Sequence, residues 1–454
     1  MSDSAAGRPV RERQLVRAIG TWGLVASIVN VTVGGGIFRL PGSPDVAGRL
    51  GAAAPLAYLV CAIVMGLIVL CIAQAGSRIS LTGGPYAYVE ATFGRYVGFL
   101  VGVLLWLIGA TAVPGVAGLF ADAGARLVPA IGSLGGRALF LGAIFAAVGW
   151  INVTGVKQGT RLNVVLTVAK LAPLLLLLAA GLFAARESNL RWEHGVPSAG
   201  DLSRASVILI FAFAGVETAL VPSGEVRDSA RTVPRAVFLA MGFVTLLYIG
   251  LQVVAQGVLG SSLAGDATPL VDAAGRLFGP WGVLMISAGF MISAFGYLSG
   301  MMLAVPRALF AFARDGILPR QLAAVHPRFH TPWVAIVVQS ILCWALAVLN
   351  GFERLAIIAN VSAALVYIGC AAAAWKLRRT PLPSAQAKSF EMPGGALAPV
   401  LAIAALLFLL SAVTVREWTV LVLVIVVASV LYAGSRRVAL RDPPRAPRAL
   451  EDAP

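Results

Sequence analysis

Residues 21–42 read TWGLVASIVNVTVGGGIFRLPG. An apolar run of this length spans the hydrocarbon core of a bilayer as a helix. Three consecutive glycines, Gly34, Gly35 and Gly36, interrupt it. Each glycine costs about 1 kcal/mol relative to alanine inside a helix, so the sequence predicts an unwound segment in mid-span. Residues 205–226, ASVILIFAFAGVETALVPSGEV, repeat the pattern, with Gly215 in mid-span and the carboxylate Glu217 two residues later. Irregular backbone is tolerated at membrane depth only where it is buried in protein or lines a water-filled cavity.

An unwound segment bares N–H groups on one half-helix and carbonyls on the other. Half-helix N-termini attract a carboxylate, and free carbonyls accept hydrogen bonds from an ammonium. A zwitterionic amino acid presents both groups. The alternative role for the glycines is close helix packing, the usual work of small residues in membranes; three in a row with a second break favour the binding role. A nucleotide-binding loop is excluded, because GGGIFRLPG follows no strand and lacks both phosphate-loop patterns.

The rest of the chain agrees with a membrane setting. Of 454 residues, 59% are hydrophobic and 12% charged, about half the charge of a soluble domain. Continuous apolar stretches lie near 20–40, 52–76, 97–119, 137–154, 161–184 and 205–224. Six more lie near 236–260, 281–305, 333–350, 355–376, 396–414 and 418–435. The expected fold is therefore all-α and polytopic, with about 12 transmembrane helices, and strands of a barrel are excluded by the unbroken apolar runs. Residues 1–18 read as a leader and 436–454, charged and proline-rich, as a disordered tail.

With a cytoplasmic N-terminus, 24 basic residues fall inside, ten outside and one, Lys170, within a span. This satisfies the positive-inside rule for a cell-membrane protein with both termini cytoplasmic. It also accounts for the net charge of +15 without nucleic acid. The four cysteines, Cys61, Cys71, Cys343 and Cys370, lie in apolar stretches and read as packing residues. No cofactor, metal or obligatory protein partner is expected; the partners are the lipid bilayer, a small-molecule amino acid and protons.

The breaks fall in spans one and six, equivalent positions of an inverted repeat of five helices plus five. The expected units are 19–184 and 205–376, followed by two added helices over 396–435. The run GGGIFRLPG resembles the span-one signature of the amino acid–polyamine–organocation permeases, which usually reads GSGIF. Further resemblance lies in TGGPYAYVEATFG (82–94), FAFAGVETALVPSGEVRDSARTVPRAV (211–237) and PRALFAFARDGILPRQLAAVHPRFHTP (306–332), in the family's order. The resemblance implies a leucine-transporter-type fold and a substrate site at Thr32, Gly34, Gly35, Gly36, Ile37, Phe211, Ala214 and Gly215. It puts the substrate carboxylate on the Gly35 and Gly36 amides and the amino group near the Thr32, Phe211 and Ala214 carbonyls. Gly35 departs from the family's serine.

Lys170 lies in LNVVLTVAKLAPLLLLL (162–178), and only four of the 35 basic residues are lysine. A charge at mid-bilayer costs at least about 2.5–3.5 kcal/mol, and lysine, unlike arginine, can release its proton. The resemblance implies that Lys170 substitutes for the cation of sodium-coupled relatives, with Ser293 as a partner. Proton coupling and permanent bracing of span one are both open at this point. Glu217 either protonates during transport or holds the shape of the broken helix.

The chain is therefore read as a secondary active transporter, not an enzyme. It moves a neutral, apolar amino acid by alternating access, sodium-independent and proton-coupled. The alternatives are an amino acid exchanger and, from another class, a non-transporting nutrient sensor. GGPYAY is expected to form a short interfacial helix with Tyr86 and Tyr88 at headgroup depth. Arg307, Arg314, Asp315, Glu225 and Arg231 are candidates for an inner gate.

Overall fold

The computed structural model describes residues 20–78, 85–154, 160–192, 195–215, 229–379, 392 and 394–441. Among them every regular element is helical, as a lipid-facing chain requires, since a helix satisfies its backbone bonds within itself. The first helix, α1, covers Thr21–Thr32, and a short α2 covers Gly36–Arg39. Between them the chain turns sharply, and the stretches Thr21–Thr32 and Gly36–Gly48 meet at 47°. The Gly34 N–H donates to Thr32 O at 2.8 Å instead of reaching back four residues. That diversion leaves the Asn30 carbonyl without its helical donor.

The elements that follow are α3 (Pro55–Arg78), α4 (Pro85–Phe93), α5 (Arg95–Leu127), α6 (Leu134–Thr154) and α7 (Thr160–Ala184). Next come α8 (Ala199–Phe213), α9 (Ser229–Leu259), α10 (Pro269–Phe278), α11 (Pro280–Ala304) and α12 (Pro306–Arg314). The last are α13 (Trp333–Leu349), α14 (Phe352–Arg378), α15 (Leu397–Leu410) and α16 (Val415–Arg441). Five of these helices open on proline, whose fixed φ suits a first turn and whose missing N–H would have no partner there. Gly279 joins α10 to α11 at φ 62°, a left-handed conformation that glycine adopts without steric cost.

Seven described helices are long and apolar enough to cross a membrane, or eight when the bent pair at residues 21–48 counts as one. Three shorter apolar helices, Val168–Ala184, Trp333–Leu349 and Leu397–Leu410, accompany them. Helix α8 stops at Phe213, and the remainder of the expected sixth span, with Glu217, lies outside the described residues.

The core sits around α14, whose apolar window is 72% buried, whereas that of α16 is 11% buried. Helix α14 packs along α5, α3 and α8, and α9 packs against α1, α3 and α7. Both ends of this burial range are equally apolar, so α14 is a core helix and α16 a lipid-facing one. Small residues let the helices approach: a Cβ on Gly289 of α11 would stand 2.8 Å from Pro173 Cγ of α7.

One expectation changes. Tyr88 is 4% exposed, because α4 lies against α5 and α14 and turns this ring into the protein, not toward headgroups. Of the candidate inner-gate residues, Arg314 pairs with its own neighbour Asp315 at 3.3 Å, both largely exposed, while Glu225 lies outside the described residues. All four cysteines are free and buried, consistent with packing.

Candidate functional site

The two helix ends at the breaks face each other. Ala214 is extended (φ −65°, ψ 151°) and its N–H closes the last turn of α8 on Ile210 O at 2.9 Å. Gly215 follows at φ 108°, a value that side-chain-bearing residues rarely adopt. A Cβ on Gly215 would lie 2.7 Å from Val31 Cγ1, so the second break approaches the first as closely as van der Waals contact allows. A cavity of about 70 Å³ lies there, lined by Val31, Thr32, Gly34, Gly35 and Gly36 from the first break and Phe211, Ala214 and Gly215 from the second. Helices α5, α11 and α14 complete the wall with Ile108, Ala112, Val116, Tyr297, Met301, Ala359, Asn360 and Ala363.

Seven of the eight residues expected at the substrate site thus line one cavity. The exception is Ile37, which is fully buried in the core and is absent from the lining. The glycines also pack tightly: a Cβ on Gly35 would come within 3.1 Å of Val116 Cγ1, and one on Gly36 within 3.0 Å of Phe211 Cδ1. The triple glycine therefore both turns the chain and admits neighbouring side chains.

Lys170 is 5% exposed, and its Nζ donates to the Asn30 carbonyl, the acceptor freed by the Gly34 turn. A backbone acceptor set loose by one helix break thus holds the ammonium of α7. Ser293 Oγ is buried without a hydrogen-bond partner, so the serine does not bond Lys170 in this conformation. A link that sequence reasoning missed is Tyr248 on α9, whose Oη lies 2.9 Å from Thr32 O and 3.0 Å from Ala212 O. The two breaks share this one fully buried phenol. Its single proton is shared between the two carbonyls, so Tyr248 ties the end of α1 to the end of α8.

The chain matches the family model described as "Amino acid permease" over residues 19–434. It belongs to the amino acid permease family. The permease is therefore a multi-pass integral membrane protein of amino acid transport, in a family of transporters and not of enzymes. It is 28% identical to the serine/threonine exchanger SteT of Bacillus subtilis (strain 168), covering 89% of this chain and 92% of that one. It is 26% identical to the branched-chain amino acid permease BcaP of the same organism, covering 93% and 94%. The methylthioribose transporter of that organism is also 26% identical, with 93% and 94% covered.

Beyond the cavity, toward Arg39, the permease has a second and larger hollow of about 730 Å³, lined by Arg39, Asp45, Arg204, Phe352, Glu353 and Glu417 among others. Phe211 lines the first space and Phe352 the second, and their rings meet edge to face at 5.2 Å and 88°. Arg39 spans this region, bonding the Asp266 carbonyl and pairing with Glu353 at 3.1 Å. Arg204 holds both carboxylate oxygens of Glu417, at 3.1 and 3.2 Å, and reaches Asp45 at 3.2 Å. Bidentate pairing of this kind fixes geometry as well as adding energy. It ties the chain just past the first break, the start of α8 and the start of α16 into one unit.

Asp201 belongs to the same face. Its carboxylate accepts from the Ser198 hydroxyl at 2.6 Å and from Arg49 at 3.1 Å. Ser198 first and Arg49 second hold it below the ordinary carboxylate range. The pair therefore persists at pH values where a free aspartate protonates, and is lost only as pH falls through the lowered value.

Proposed function

We propose that this permease moves a neutral amino acid across the cell membrane by alternating access, without sodium and with proton coupling through Lys170. The observation that carries the reading is the cavity between two facing helix breaks, where main-chain groups outnumber charged side chains. Gly35 caps and Gly36 opens a half-helix whose first N–H groups lack intrahelical acceptors, which suits a carboxylate. The carbonyls of the opposing ends suit an ammonium. No carboxylate side chain lines the cavity among the described residues, so a cationic substrate chain has no counter-charge there.

The layout that goes with this function has 12 spans: repeats over 19–184 and 205–376, two added helices over 396–435, and both termini in the cytoplasm. In that orientation Arg39 and Glu353 lie outside, and the Phe211–Phe352 contact divides an outer vestibule from the substrate. The ion pairs of Arg204 then make the outer half-helices move as a body. Exchange is the second reading, favoured by the likeness to an exchanger over nearly the whole chain.

Counterflow into proteoliposomes tests the proposal. With sodium absent, labelled alanine is expected to accumulate when unlabelled alanine, threonine or leucine is inside, and not when arginine is inside. Equal counterflow with arginine would refute the neutral class. Strict dependence on a trans amino acid, with no net uptake under a proton gradient, would replace symport by exchange.

A further inference from the structure

The cavity wall contributed by α5 and α11 is aliphatic or thioether apart from the phenol Tyr297. On α14, between the small lining residues Ala359 and Ala363, stands Asn360, which is 3% exposed. Its Nδ2 donates to Val207 O at 2.7 Å and to Ile208 O at 3.3 Å, both on α8. Carbonyl acceptors settle the orientation of the amide, since only the NH2 arm can donate. Oδ1 is then the other arm, and among the described residues no hydrogen bond to it is seen. Thr32, a second lining residue, also has a hydroxyl without a partner.

The main-chain groups at the breaks are sufficient for the carboxylate and ammonium that every amino acid carries. A fixed acceptor in a wall whose other polar side chains are Thr32 and Tyr297 is left for the part that differs between substrates. An ammonium or guanidinium there would need a carboxylate, which the described lining lacks, and a cavity of about 70 Å³ suits a short chain. We infer that Asn360 Oδ1 accepts a hydrogen bond from a hydroxyl on the substrate, so that the preferred cargo is a small hydroxy amino acid of the serine–threonine kind. The inference rests on the transport reading above and narrows its neutral class from apolar to hydroxyl-bearing chains.

Threonine and valine differ only by a hydroxyl in place of a methyl, which makes them the probes. Uptake of labelled threonine by the full chain in proteoliposomes is competed with unlabelled threonine and unlabelled valine. In the wild type, valine is expected to need about five- to tenfold more for half-displacement, the worth of one net hydrogen bond. Asn360→Leu, with Asn360→Ala as the second variant, is expected to bring that ratio to about one. Equal displacement by valine in the wild type overturns the inference whatever the variants do. So does a ratio unchanged in a variant that reaches the membrane. Entry of labelled alanine or leucine without entry of threonine defeats this inference and leaves the transport reading intact. Entry of none of these amino acids defeats the transport reading itself.

Discussion

Alanine in place of Gly215 is expected to lower the initial rate of amino acid uptake at least tenfold in protein that still reaches the membrane. Two effects act together. At φ 108° a residue with a Cβ carries backbone strain of about 1–3 kcal/mol. The new Cβ also stands 2.7 Å from Val31 Cγ1, and overpacking of this kind costs about 1–3 kcal/mol. Relief requires the ends of α1 and α8 to separate, which pulls the Thr32 and Ala212 carbonyls away from Tyr248. The binding cavity is thereby reshaped while the surrounding helices keep their packing. Uptake per unit of purified, monodisperse protein checks this, and a rate within twofold of wild type would contradict it.

The second large effect is at Lys170. Its ammonium is held by the Asn30 carbonyl, whose helical donor, the Gly34 N–H, turns back to Thr32 O instead. Any movement of the first break that restores a helical bond to Asn30 makes the ammonium share that oxygen with the Gly34 N–H and shifts it from the Lys170 side chain. A charged amine without a partner at mid-bilayer costs at least about 2.5–3.5 kcal/mol. Under the proposed function, opening of the break is the step that releases the proton. For Lys170→Ala, accumulation driven by an inward proton gradient is expected to fall to the level seen without one. The measurement is the ratio of uptake with and without the gradient. A ratio equal to that of wild type would leave Lys170 as a brace and nothing more.

The breaks were readable in the chain because glycine acts locally. Three in a row in an apolar span signal a turn wherever the neighbours lie, and Gly34 through Gly36 line the cavity together. Tyr248 and Asn360 carried no such signal. Both sit in long helices that are apolar on nearly all sides, so hydrophobic periodicity does not reveal which face meets α8. Their roles follow from tertiary approach alone, as the bonds to Ala212 and Val207 show. Ile37 is the converse case. It adjoins the glycines in sequence, but one residue along a half-helix rotates the side chain by about 100°, and it points into the core. Tyr88 misled for a similar reason: an aromatic near a span end suggests an interface, yet α4 lies under α5 and α14.

The pairing of Arg204 with Glu417 also could not be foreseen, since 213 positions separate the two residues. It joins α16 to α8, the helix that carries Phe211. If the breaks move during transport, α16 follows α8 through this contact.

The central claim is that main-chain groups at two facing helix breaks hold both charged ends of an amino acid. Competition against labelled substrate by the same amino acid blocked at one end, as its methyl ester or its N-acetyl form, addresses it most directly. The account predicts that each blocked form displaces at least about tenfold more weakly than the free zwitterion, since each loses charge-assisted hydrogen bonds. Displacement by either form as readily as by the free amino acid would contradict it.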